Sequence, residues 1–414
     1  MSQRLPAWSL FAALIATAGL PIYIHAPKFY VDSYGVPLAS LGFTLAALRL
    51  IDVVQDPALG WLAQATRPHR RLGVALGTTL MATAMLALFA VPPPVAPLLW
   101  FALCLTVLFS AFSFLTICFY AEGVAKAETL GTDGHIRLAG WREGGSLLGV
   151  CLAAVAPVAL LPLTDRPFTL FAAGFAGLAL VATLAMRREW RGRAADPTPG
   201  PVALFRPVLA DPLARRLLLI ALLNASPVAV TSTLFLFFVE SRLALPGWEG
   251  PLLLLFFLAA ALSTPLWSLL ARRHSPRPVL LSAMVLAIAA FLWTLTLAPG
   301  DLVPFALICA ASGAALGADL TLLPAIFANR LARTGTAEAA AFGLWSFVSK
   351  LSLALAALTI LPALDAAGFR AGADNSPSAL WTLTLIYAGL PCVLKVTAIA
   401  LLALTPLSPA KETP

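Results

Sequence analysis

The stretch LRLIDVVQDPALGWL, residues 48–62, sets Arg49, Asp52 and Asp56 at spacings of i, i+3 and i+7 in an otherwise apolar run, with Gln55 beside them. On a helix these three positions share one face. Two carboxylates four residues apart repel, more strongly once desolvated, so they call for a cation between them. Arg49, Lys350, a proton and a metal ion are the candidates. Two Asp and a Gln carbonyl offer hard oxygen ligands of the kind an alkali ion accepts, so Asp52 and Asp56 are also the candidate ligands for Na⁺. A charge at the centre of a membrane helix costs about 2.5–3.5 kcal/mol on insertion scales, and such carboxylates more often mark ion pathways than a static network with an Arg.

The other charges embedded in apolar sequence are few: Arg142 and Glu143, Asp319, Lys350 and Lys395. Asp319, in LGADLTLLP, reads as a gating or substrate residue or as the partner of a nearby Arg. Arg142 and Glu143 read as an ion pair at a gate, close enough to a helix start to be partly solvated. Gly140 with Gly144, and Gly313 with Gly317, have the small-xxx-small spacing that lets helices approach, and are assigned to packing. The four histidines form no ligand set, and the five cysteines are scattered singly without CxxC spacing. With no phosphate-binding glycine loop, no HExxH and no nucleophile elbow, the chain is expected to be no enzyme and to carry no cofactor.

These residues must be positioned by membrane helices. Of the 414 residues 60% are hydrophobic and only 11% charged, far from the mix of soluble domains, and the mean hydropathy is +0.91. Apolar windows of about 20 residues, each long enough to span the bilayer, place spans at roughly 8–27, 38–64, 72–92, 97–122, 138–163, 167–186, 214–241, 248–271, 277–297, 302–328, 336–363 and 379–405. The fold class is therefore all-α, a membrane protein of twelve helices. Bundles over 1–190 and 214–414 flank a central loop at 191–213. Of the 27 Lys and Arg, 19 fall at the termini or in alternate loops, including Arg67, Arg70, Arg71, Arg187, Arg188, Arg272 and Arg273. By the positive-inside rule both termini are then cytoplasmic. That pattern makes the net charge of +8 a signature of topology, and no nucleic-acid partner is expected.

An internal echo supports two related halves. DPALGWLAQATRPHRR, ending the second span, parallels TPLWSLLARRHSPRP, ending the eighth, with Pro57 opposite Pro265 and Gly60 opposite Ser268. Two six-helix halves of this kind are the signature of secondary transporters of the major facilitator type, with the solute held between them near the midplane.

The run FYVDSYGVPLASLGFTLAALRLIDVVQDPALGWLAQATR resembles the first loop and second helix of the glycoside-pentoside-hexuronide:cation symporters, the melibiose permease family. IRLAGWRE, 136–143, is similar to the start of that family's fifth helix, and GLWSFVSKLSLALAA, 343–357, to its eleventh with a single Lys. The resemblance implies a cation site on Asp52, Asp56, Gln55 and Ser113, with Lys350 alternating with the coupling cation as partner of the carboxylates. It also implies sugar-binding acids in the first and fourth helices, but residues 1–27 contain no Asp or Glu, and the aligned positions are Ala16 and Thr116. Tyr23, Thr116, Tyr120 and Trp345 are the candidate lining of a solute site. Phe29, Tyr30 and Phe119 either join them, which would suit an amphipathic or aromatic solute, or pack in the core.

The expectation is a monomeric transporter of the bacterial inner membrane that couples Na⁺ or H⁺ to a small organic solute by alternating access. The rivals are a lipid or lysolipid carrier of the same fold, and a membrane scaffold or assembly factor that transports nothing.

Overall fold

The computed structural model describes residues 4–160, 163–190, 201–334, 337–369 and 375–406, which are helical apart from short connections. The chain opens with α1 (Leu5–Thr17) and α2 (Leu20–Tyr34). The first span expected over 8–27 is thus two helices: Pro21 has no N–H to give the carbonyl of Thr17, and the backbone leaves helical geometry at Gly19. α3 (Leu38–Ala65) carries the acidic stretch; α4 (Arg70–Phe89), α5 (Pro97–Glu128), α6 (Gly134–Leu160) and α7 (Pro167–Met186) complete the first bundle. Residues 191–200 of the central loop lie outside the described residues, and the loop also holds a short helix, α8 (Pro201–Ala210).

The second bundle comprises α9 (Pro212–Phe237), α10 (Glu249–His274), α11 (Pro276–Thr294), α12 (Leu302–Thr334), α13 (Glu338–Ala366), α14 (Pro377–Thr384) and α15 (Leu390–Ala403). A π-turn at Phe238–Arg242 extends α9, and another at Leu385–Gly389 joins α14 to α15. The two turns face each other: the Phe238 and Tyr387 rings stack with centroids 4.1 Å apart, and the Arg242 Nε donates to Thr384 Oγ1 at 3.1 Å. Among the described residues nine helices are long and apolar enough to cross a membrane. α1 with α2, α3 and α6 make up the twelve passes, and two of these three, α3 and α6, carry the embedded Asp and Arg residues.

Exposed Leu and Val, such as Leu72, Leu76, Val181, Leu262 and Val393, cover the outside. In lipid this costs nothing, because the surrounding tails are as apolar as the side chains, and close packing has to hold the helices together. Inside the first bundle Trp8, Phe11, Phe119 and Trp190 are fully buried against one another.

The bundles meet along α3 with α13 and α6 with α10. At the first crossing Gly60 and Gly343 bring the backbones together, so that a Cβ on Gly343 would lie 3.0 Å from the Gly60 Cα. At the second, a side chain on Gly140 would run into the Ser268 hydroxyl. Gly60 and Ser268 are the paired positions of the internal echo, so the repeat places one small residue of each half at an equivalent contact. Gly313 and Gly317 do the same for α12, which lies against the backbone of α10 at Phe256 and Ala260.

Candidate functional site

The acidic face of α3 points across the interface. Asp56 is fully buried, and both of its oxygens are used by α13. The Lys350 ammonium donates to Asp56 Oδ1 at 3.0 Å, and the Ser346 hydroxyl donates to Oδ2 at 2.5 Å. Lys350 also donates to the Ser113 hydroxyl on α5 at 2.6 Å. Ser346 and Lys350 stand four residues apart and so share one face of α13. The cation that the two carboxylates call for is therefore, in this conformation, the side chain of Lys350 at Asp56.

Asp52, one turn earlier on α3, belongs to a neighbouring hydrogen-bonded set. The Gln55 amide donates to Asp52 Oδ1 at 2.8 Å, and the Ser110 hydroxyl donates to the Gln55 carbonyl at 2.9 Å. Asp52, Gln55, Asp56, Ser113 and Lys350 are thus brought together on facing surfaces of α3, α5 and α13. Ser110 and Ser346 escaped sequence reading, although each sits at helical spacing, three or four residues, from a site residue. The side chains of Arg49 and Tyr23 lie outside the described residues. Among the described residues no three His, Cys, Asp or Glu side chains gather as a metal-binding group.

Beside this network lies a cavity of about 360 Å³ between the bundles. Thr116 and Tyr120 from α5, Asn224 from α9, Asp319 from α12 and Trp345, Ser346 and Ser349 from α13 line it among mostly apolar neighbours. The volume falls within the range of small-molecule sites. Ser346 both lines the cavity and touches Asp56, so a ligand in the cavity and the charge state of Asp56 share a side chain. Thr116, Tyr120 and Trp345, three of the candidate lining residues, line this cavity. Phe29, Tyr30 and Phe119 instead pack within the first bundle: Phe29 against Phe89 and Phe168, Tyr30 against Phe101, and Phe119 on Trp8. Their rings find partners on neighbouring helices of the same half and turn away from the interface.

Two further buried ion pairs adjoin the cavity. Arg142 Nε donates to Glu143 Oε1 at 2.8 Å, the Tyr120 hydroxyl donates to the same oxygen at 2.7 Å, and the guanidinium lies 3.6 Å over the Tyr120 ring. Arg142 and Glu143 are 5% and 4% exposed, which corrects the expectation of partial solvation. The physical reason is that α6 begins at Gly134, so both residues lie about two turns inside the helix. In the second bundle Asp319 Oδ2 accepts from Lys395 on α15, and Lys395 donates to the Asn224 amide oxygen at 2.6 Å. The partner of Asp319 is thus a lysine, where sequence reading offered an arginine. Asn224 was missed; its only signal is to be the single amide inside the apolar run LLLIALLNASPV.

The bundles are closed against each other at one end. Gly60, Gly140, Ser268 and Gly343 all lie toward the basic loops, and Arg67 Nη2 on the first half is 3.6 Å from Glu338 Oε2 on the second. Beyond that end, Arg330 grips Asp211 with two hydrogen bonds of 2.8 and 2.9 Å, and the Asp211 carboxylate also caps the N-terminus of α9 through Leu213 N. The bidentate Arg330 contact holds the Asp211 carboxyl below its ordinary value.

Solved structures share this architecture. A bacterial homologue of the iron transporter ferroportin, crystallised in an outward-facing state, superposes with a TM-score of 0.70 at 16% identity, covering 96% of this chain and 99% of that one. The Escherichia coli fucose:proton symporter superposes with a TM-score of 0.62 at 14% identity, covering 96% and 98%. At such identities the likeness is one of fold, the major facilitator fold with its two six-helix bundles. No curated protein sequence matches. Residues 7–409 match the family model described as MFS/sugar transport protein, and the chain, a multi-pass membrane transporter by fold and family, belongs to that family.

Proposed function

We propose that the protein is a cation-coupled symporter, driven by Na⁺ or H⁺, that moves a small organic solute by alternating access. The observation that carries this reading is the contact of Lys350 with Asp56 and Ser113, made across the interface of the two bundles and one side chain from the cavity. An ammonium and a second cation about 4 Å apart would repel by about 4 kcal/mol at an effective dielectric of 20. They therefore take turns at Asp56. When Na⁺ or a proton neutralises Asp56, Lys350 loses its partner, and the bond tying α13 to α3 is released. With Asp52 and Gln55 one turn away, α3 offers further oxygens for an incoming ion. This division of roles is the one implied by the resemblance to the melibiose permease family.

The closed end carries the basic loops, so under the positive-inside rule it faces the cytoplasm, and the conformation is shut on that side. Solute and ion enter from the opposite side, in the inner membrane, and the reverse conformation opens the Gly60 and Gly343 contact. The transporting unit is a monomer, since each chain carries both halves of the cavity.

The test is the thermal stability of the purified protein in NaCl against choline chloride, and across pH. A ligand that binds only the folded state raises stability as RT ln(1 + [L]/Kd). A Na⁺-dependent or proton-dependent shift that disappears in Asp56→Asn is the expected result; a full shift in that variant would refute the assignment.

A further inference from the structure

We infer that Asp319 is the anchor for a hydroxyl of the transported solute, and that the solute is neutral and amphipathic. The inference rests on the transporter reading and extends it to a second site, in the other half of the molecule from Asp56. Asp319 is 7% exposed and lines the cavity. Its Oδ2 is held by Lys395, but its Oδ1 has no hydrogen-bond partner among the described residues. The contrast with two other carboxylates in the chain is direct. Asp56 has Lys350 on one oxygen and Ser346 on the other, and Asp211 has both oxygens on Arg330. A buried carboxylate oxygen left without a donor is costly, and native folds rarely retain one without a use. At the wall of a cavity, that use is to receive a donor from the ligand.

Charge decides what kind of donor. Asp319 and Lys395 cancel, as do Asp56 and Lys350, and Arg142 and Glu143 behind Tyr120. An ammonium group at Asp319 would compete with Lys395, which is itself buried and bound to Asn224. A hydroxyl donates to Oδ1 without disturbing that pair. The rest of the wall sets the shape of the solute: Trp345 and Phe342 contribute aromatic side chains, while Ser349 offers a further hydroxyl. One molecule with a ring or alkyl face and a hydroxyl-bearing face satisfies both surfaces. Because Asp319 belongs to α12 and Tyr120 to α5, such a solute touches both bundles at once, as alternating access requires.

The test uses the full-length protein in lipid nanodiscs free of glycosidic detergent, with phenyl β-D-glucopyranoside and phenyl β-D-galactopyranoside as neutral probes and phenethylamine and phenylacetate as charged ones. At least one glycoside is expected to raise the melting temperature, and Asp319→Asn to weaken its affinity by about tenfold or more, the size expected for a hydrogen bond to a charged group. The double variant Asp319→Asn with Lys395→Met removes both buried charges together and guards against misfolding. It too is expected to lose the glycoside. Glycoside affinity unchanged in a folded Asp319 variant overturns the inference, as does stabilisation by the charged probes alone or by none of the four. The cation response of the wild-type protein without probe is read in parallel; its absence counts against the coupling mechanism and leaves the Asp319 comparison standing.

Discussion

Lys350 Nζ lies 3.0 Å from Asp56 Oδ1, an ion pair between helices of opposite halves and 294 residues apart in sequence. Breaking one side of a buried pair leaves an uncompensated charge, which costs about 3–5 kcal/mol. Lys350→Met is therefore expected to destabilise by that order. Asp56→Asn combined with Lys350→Met should recover most of the loss, yet show no cation-dependent uptake. Thermal melts and counterflow in proteoliposomes distinguish stability from coupling.

The Gly343 to Gly60 contact closes the basic end. Gly343→Leu drives a side chain into the Gly60 Cα and the Asp56 carbonyl, both backbone, which cannot step aside. Overpacking of this kind costs about 1–3 kcal/mol. The variant should hold the halves apart at this end and lose transport. Maleimide labelling at Ala339→Cys, buried at the same crossing, should rise relative to the same cysteine in the parent.

Tyr120 makes two separable interactions with the buried pair beside it. Tyr120→Phe removes the hydrogen bond to Glu143 Oε1 and keeps the ring under Arg142, for an expected loss of about 1.5–3 kcal/mol. Tyr120→Leu removes the ring as well and should cost about 0.5–2 kcal/mol more. Equal melting temperatures for the two variants would show that the ring contact contributes nothing.

Asp211 predicts a pH dependence. Its carboxyl titrates below the ordinary value of 3.8 because Arg330 holds the charged form. The pair therefore stabilises the folded state fully above that value, and the contribution is lost as pH falls through the lower folded value. Melting curves of the wild type should drop toward those of Asp211→Asn below about pH 4, after a constant gap between pH 5 and 7. A gap that does not narrow at all as the pH falls below about 4 would contradict the assignment.

What the sequence by itself determined follows from local chemistry. Apolar length and the alternation of basic loops are properties of each segment taken alone, so the passes and the two halves could be read directly, as could the shared face of Asp52 and Asp56. The break at Gly19 and Pro21 was also written there, but a single apolar stretch concealed it. Partners were another matter. That Lys350 reaches Asp56 and Ser113, that Lys395 joins Asn224 to Asp319, and that Phe119 turns to Trp8 instead of the cavity depend on which helix faces align. Membrane helices are apolar on nearly every side, so periodicity points to no partner face, and close backbone packing at residues such as Gly60 and Gly343 sets the alignment. Only the tertiary structure could decide that Asp56 has both oxygens engaged while Asp319, at the cavity wall, keeps one without a hydrogen-bond partner among the described residues.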